Sequence, residues 1–321
     1  MSSAFAADPE LMNLVMPDAR ILAGVNATTT KISPLGQFVL SKVALQGGEL
    51  QKFMAATGFN PLQDVSEVLA ATTADPAGHT GLLLVRGTFN VDKISAAAAG
   101  HADVQTQSYG GATLFSVANQ KTKATQALAF IGPTIAVAGD LASVKAAIDR
   151  STGANAIDPA LALKVNQLST NEDEWIVSSA SVASLLPAGA ATGTGPAAQV
   201  LSVLKSIQSF TGGVKLGSDV QITGQAIADT AQNATSLAAV VKLGVNLLSM
   251  NSGKDAQMAQ FAQLLQNIQV TTSGSDLNLA MTVPESQVEA LLNQMWKPSA
   301  AVQPASLPPA SHRWRQAPNG N

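Results

Sequence analysis

The chain has 321 residues, no cysteine, and a formal net charge of −3 from 18 basic and 21 acidic side chains. The length leaves room for two domains of ordinary size, and the missing cysteines exclude disulfides, thiolate zinc sites and thiol catalysis. Nucleic-acid binding needs a basic patch, and no run of Lys and Arg in the body of the chain supplies one.

Hydrophobic residues make up 46% of the chain, charged residues 12% and aromatic residues 4%. The core must therefore be built from Ala, Val, Leu and Ile, and the surface from Ser, Thr, Gln and Asn. In chain order, Asp8-Pro9 predicts a helix start, because Asp accepts orphan N–H bonds and Pro tolerates the first turn. That helix runs to about Val15. Arg20 to Val25 reads as a strand. Ser33-Pro34 opens a helix to about Leu45, and Glu49 to Ala56 forms a short one stopped by Gly58. Val68 to Thr72 and Gly81 to Phe89 read as strands, and Asn90 caps a helix through Ala99. Val104 to Ser108 and Thr113 to Val117 form a hairpin in which Gly110-Gly111 supplies positive φ. Gln126 to Phe130 and Thr134 to Ala138 are joined by a Gly132-Pro133 turn, and Asp140 caps a helix to Arg150.

Asp158-Pro159 opens a further helix to Leu168, followed by a strand from Glu174 to Ser179. Pro187 to Gly195 reads as a loop. Ala197 to Phe210 is predicted helical from the spacing of Val200, Leu204 and Ile207. Val214 to Ala228 reads as a hairpin, Thr230 to Met250 and Asp255 to Ile268 as helices, and Gln269 to Thr272 with Leu277 to Val283 as a last hairpin. Pro284 starts a final helix ending near Trp296. The Pro-rich tail from Lys297 is expected to be disordered. A strand–cap–helix unit recurs at Gly81–Ala99, Thr134–Arg150, Asp219–Met250 and Leu277–Trp296. This predicts an α+β fold with antiparallel or mixed sheets, helices packed on one face, and two similar halves. The domains are then 1–150, 151–296 and the tail 297–321.

Chemistry-bearing patterns are sparse. His79, His101 and His312 share no metal-ligand spacing and read as surface residues. No G-x-S-x-G elbow is present. Gly193-Thr194-Gly195-Pro196-Ala197-Ala198 echoes a dinucleotide fingerprint, but a loop and not a strand precedes it, and Pro196 removes an amide. Ser252-Gly253-Lys254 lacks the rest of a phosphate-binding loop. Glu172-Asp173-Glu174 could hold a cation through oxygen ligands but reads as a solvated loop. Asp64 and Glu67, three apart, could share a helix face. Arg86 interrupts an apolar strand. A buried Arg would require a carboxylate partner or an anionic ligand, whereas an edge or solvent-facing Arg would require neither. His312-Arg313-Trp314-Arg315 is too short a cluster for firm surface attachment. No cofactor is expected.

No segment reaches about 18 uninterrupted apolar residues, so no transmembrane helix is expected. Ala4-Phe5-Ala6 has the small-x-small pattern of a signal peptidase site, without the charged and apolar regions that precede one. The expectation is a truncated signal peptide and a periplasmic or secreted protein. The alternative is a cytoplasmic protein with a loose tail. Met16-Pro17-Asp18-Ala19-Arg20-Ile21-Leu22-Ala23-Gly24-Val25, Ser33-Pro34-Leu35-Gly36-Gln37-Phe38 and Ile135-Ala136-Val137-Ala138-Gly139-Asp140-Leu141-Ala142-Ser143-Val144-Lys145-Ala146-Ala147-Ile148-Asp149-Arg150 resemble uncharacterised exported proteins of soil bacteria. The resemblance implies an envelope location and carries no activity.

Three functions fit this inventory. The first is a non-catalytic cell-envelope protein that binds or scaffolds a protein partner. The second is a carrier of an apolar small molecule in a pocket between helices and sheet, with the helices from Thr230 to Ile268 as its wall. The third is an enzyme with an unrecognised carboxylate-based site. Arg86 is the one candidate ligand-binding residue.

Overall fold

The computed structural model describes residues 7–45, 48–75, 80–119, 124–153, 157–186, 196–251 and 256–295. The chain begins with α1 (Pro9–Leu14), whose Asp8 cap accepts the N–H groups of Glu10 and Leu11. Then come β1 (Ile21–Val25), α2 (Ala27–Ile32), α3 (Pro34–Leu45), α4 (Gly48–Thr57), α5 (Pro61–Asp64), β2 (Val65–Thr72), β3 (Gly81–Gly87) and α6 (Val91–Ala98). A meander follows: β4 (Gln105–Tyr109), β5 (Ala112–Ala118), β6 (Thr125–Ile131) and β7 (Ile135–Asp140), leading into α7 (Leu141–Arg150). Its turns use Gly110, Gly111 and Gly132 at φ of 54°, 81° and 62°, a backbone conformation that side chains disfavour. The second half holds α8 (Pro159–Asn171), β8 (Glu174–Ser178), α9 (Val182–Leu185), α10 (Pro196–Lys205), β9 (Ile207–Lys215) and β10 (Asp219–Ala228). It ends with α11 (Ala231–Asn251), α12 (Ala256–Leu265), β11 (Gln269–Ser273), β12 (Asp276–Pro284) and α13 (Glu285–Met295).

The twelve strands among the described residues join one open sheet, in the order β11-β12-β10-β9-β8-β1-β2-β3-β7-β6-β5-β4. Every pairing is antiparallel. The fold is therefore α+β. From β1 the chain runs through helices into the β2–β3 hairpin, crosses by α6, and returns so that β7 lies beside β3. From β8 it runs through helices into the β9–β10 hairpin, crosses by α11 and α12, and returns so that β12 lies beside β10. The strands that start the two routes, β1 and β8, pair with each other from Ile21↔Ser178 to Val25↔Glu174.

Strand alternation assigns the two faces. One face carries Leu22, Leu69, Leu84, Leu114, Val137, Trp175 and Val177, packed with Leu11 and Leu14 of α1, Val144 and Ile148 of α7, and Leu161 and Val165 of α8. The opposite face carries Phe115, Phe130 and Ala136 near β4, packed with Ile94 of α6 and Phe89. In the second half that same face packs Leu277 and partly buried Phe210 with Ala234 and Leu237 of α11. The helices are thus divided between both faces and not gathered on one, because the first half carries an apolar cluster on each side of its strands and the second half packs its helices on one. The reverse side of the second half presents Gln221, Thr223, Thr271 and Thr282 to solvent.

Two local readings differ from expectation. Ala27–Ile32 forms α2 although Thr28, Thr29 and Thr30 are poor helix formers; the Asn26 side chain accepts the N–H groups of Thr28 and Thr29 and starts the turn. The predicted helix to Phe210 stops at Lys205, and Ile207 begins β9. Ile207 and Phe210 fit helical spacing, yet both pack as strand residues under the second-half helices. The loop 187–195, Ser252-Gly253-Lys254 and the tail 297–321 lie outside the described residues.

Gly24 sits where the two routes meet. A Cβ there would lie 2.4 Å from Trp175 Cε2 and Cζ2. Gly24→Ala should therefore lower stability by about 1–3 kcal/mol. In a Trp175→Phe background, which lacks the fused second ring of the indole, the cost of the alanine should shrink. Urea denaturation of the four chains measures this, and an equal cost in both backgrounds would reject the contact.

Candidate functional site

A concavity lies between α4, α6 and the outer strands β5 and β6. Its volume is about 650 Å³. Ile94, Ala97 and Ala98 reach it from α6, Phe53 and Ala56 from α4, and Phe115 and Leu128 from the sheet. The spacing 94, 97, 98, 101 places these side chains on one side of α6 and its extension, so His101 stands on the same rim. Lys52 stands on the rim from α4, and Thr57 and Gln126 add polar groups. Thr57 ends α4: its Oγ1 donates to the Phe53 carbonyl at 2.7 Å and accepts the Phe59 N–H at 3.2 Å.

Two of the concavity's lining residues, Phe53 and Phe115, are the ends of a chain of aromatic rings that continues behind it. Phe53, Phe59, Phe89, Phe130 and Phe115 form a chain of ring contacts with centroid separations of 6.2, 5.1, 5.1 and 6.0 Å. Five of the nine phenylalanines of the protein thus meet in one place. Phe53 is 46% exposed and Val117 36% exposed, so the cleft opens to solvent along an apolar lip. The expected wall from Thr230 to Ile268 does not line it. There, Leu243, Leu247, Met250, Met258 and Phe261 are exposed instead.

A second, smaller recess of about 170 Å³ is polar and includes Arg86. Strand β3 lies between β2 and β7, so Arg86 is at neither edge of the sheet. Its side chain is 19% exposed and binds the Asp8 carboxylate through two nitrogens, each at 2.8 Å. It also donates to Glu10 and, at 3.2 Å, to Thr134 Oγ1. The carboxylate that a buried arginine requires is therefore internal. Glu67, from β2, accepts the Asp8 N–H at 3.1 and 3.3 Å. At the other end of α1, Arg150 donates to the Leu14 carbonyl at 2.8 Å.

The remaining candidates are dispersed. Asp64 closes α5 by accepting the Asn60 N–H, while Glu67 lies on a strand, so the two share no helix face. Asp173 accepts the Leu216 N–H at 2.8 Å, and Glu172 accepts from Thr223 Oγ1. No three His, Asp or Glu side chains converge as a metal site among the described residues. No described helix is long and apolar enough to cross a membrane. His79, His312 and residues 193–195 lie outside the described residues.

No protein-family model matches the chain, and neither does any curated protein. Solved structures do share its fold. Crystal form III of TP0453 aligns with a TM-score of 0.52 and 9% identity, over 90% of this chain and 99% of that one. Crystal form IV of TP0453 gives 0.51 and 9%, over 90% and 97%. At that identity the likeness is one of fold.

The charges around Arg86 have opposite titration behaviour. Burial pushes the Asp8 carboxyl up, but hydrogen bonds from Arg86, Leu11 and Glu10 outweigh it and hold it below its ordinary value. Burial pushes the Glu67 carboxyl up, against the Asp8 N–H bond. The Asp8 contribution is fully present above its unfolded value of about 3.9 and is lost as pH falls through the lower folded value. Asp8→Asn should cost about 1–3 kcal/mol at pH 7. The gap from the parent should close as the pH falls below about 4. Urea midpoints at pH 7 and pH 3 check this, and an unchanged gap would contradict it.

Proposed function

We propose that the protein is an exported, non-catalytic binding protein that carries an apolar small molecule in the cleft between α4, α6 and strands β5 and β6. The observation that carries this reading is the 650 Å³ concavity itself, lined chiefly by Ile, Ala, Leu, Val and Phe side chains, with Phe53 and Phe115 at the two ends of the phenylalanine chain. Protein interiors leave few voids larger than a water molecule. A cleft of this size and lining is within the range of small-molecule sites. Burying the same surface under a ligand releases water at about 25 cal/mol per Å². Lys52 and His101 on the rim suit a ligand with a polar or anionic end.

Export is supported by Ala4-Phe5-Ala6. Internal duplication is supported by the two matching chain routes that meet at β1 and β8. A scaffolding role has one supporting feature, the polar face of the second half that carries Gln221, Thr223, Thr271 and Thr282. No reaction is proposed for the carboxylates around Arg86, because their contacts hold the N-terminal segment in place.

Isothermal titration with dodecanol, dodecanoate and dodecyltrimethylammonium tests the carrier reading. The first two should bind saturably with a negative heat-capacity change. Ala97→Trp, which fills the cleft, should weaken both at least tenfold while the thermal midpoint holds. Binding that survives Ala97→Trp, or no binding of any of the three, would overturn the reading.

A further inference from the structure

The first two described residues are held by name. Ala7 N–H donates to Ser169 Oγ at 2.9 Å, and Asp8 N–H donates to the Glu67 carboxylate. Ser169 is 6% exposed, on the last turn of α8, and the Ala7 methyl packs against the central core. Ala7 and Asp8 both line the polar recess that also contains Asn26, Thr28 and Trp175.

The recess is short of positive charge. Asp8 and Glu67 line it with one guanidinium, which is engaged by Asp8 and, from outside the recess, by the exposed Glu10. Glu67 is left with a backbone N–H as donor, and burial already disfavours its charged form. A cation beside Glu67 would correct that imbalance. The sequence provides one at the right atom. Ala4 and Ala6 stand three and one residues before the Ala6–Ala7 bond, the spacing of small residues that signal peptidases accept.

We propose that the chain is processed at the Ala6–Ala7 bond and that the new α-ammonium of Ala7 is bound in this recess, with Ser169 Oγ as acceptor and Glu67 as counter-ion. The step is a hydrolysis by a signal-peptidase-type endopeptidase. Water adds across the amide, Ala6 leaves with a carboxylate, and the nitrogen of Ala7 takes up protons to become an ammonium. That nitrogen already sits on Ser169. Adjacent backbone nitrogens are at most about 3.7 Å apart, so the Glu67 carboxylate is one side-chain adjustment away. The recess then holds two carboxylates and two cations. The proposal rests on the export reading and is independent of the apolar cleft.

Two measurements test it. In the first, a charged and apolar leader is placed upstream of Ser3, the full chain is exported in a bacterial host, and its intact mass is read. The expected N-terminus is Ala7, and cleavage at any other bond overturns the processing. The second needs no export. Thermal midpoints are compared for a chain that begins at Ala7 and one that keeps residues 1–6, each with and without Glu67→Gln. Glutamine keeps an oxygen for the Asp8 N–H and removes the charge. It should lower the midpoint of the Ala7 chain by roughly 2–4 °C and leave that of the longer chain unchanged or raised. An equal effect in both chains overturns the docking, whatever the titrations of the cleft show.

Discussion

One strand pair makes a single body of this protein. Without the β1–β8 ladder, the sheet would fall into a piece of seven strands and a piece of five. The ladder is only five residues long on each side. Its strength comes from what lies on it: Leu22 and Val177 face each other at the core, and the Trp175 ring lies over Gly24. A large ring over a residue without a side chain is a close approach that other pairings of residue types would not permit. The helices α1, α7 and α8 cap the same spot, so elements from both halves share one cluster. The N-terminal segment contributes to it through Asp8 on Arg86 and through the Leu14 carbonyl on Arg150.

The split of helices between faces has a functional side. With α1, α7 and α8 on one face of the first half, the opposite face over β5 and β6 is left to α4 and α6. Two short helices do not fill the space over β5 and β6, and the cleft is what remains. Phenylalanine is concentrated there in a chain that is otherwise poor in aromatics. Along the same face, register joins Leu128, Ala138, Leu83, Ala70, Ala23, Ile176 and Gly212 across seven adjacent strands. The small residues in this row keep the floor low between the helix clusters of the two halves.

Much of the fold was legible where the signal is local. Asp8, Asn90, Asp140 and Asp158 cap helices in the positions that their hydrogen-bonding reach predicts, and Gly110-Gly111 makes the predicted turn. Features decided by distant partners were not legible. The start of β9 at Ile207 depends on pairing with Ala228 of β10, and the alternation there is weak enough to pass for helical spacing. Arg86 drew notice because it broke an apolar strand, but its partner is 78 residues away. The cleft gave no motif at all. Its one trace in the sequence is the spread of five phenylalanines from position 53 to position 130, which only the sheet order brings together.

The sheet is open, and its two outermost strands have a consequence beyond this molecule. Strands β4 and β11 are five residues each, Gln105–Tyr109 and Gln269–Ser273, and neither contains Lys, Glu or Pro. Sheet borders usually discourage recruitment of another chain through charge or proline. Here brevity and polarity alone do so. Such borders can tolerate a foreign extended peptide as a thirteenth strand, since nothing electrostatic repels it. Crowded, concentrated or partly unfolded preparations are where growth of this ribbon from molecule to molecule would begin.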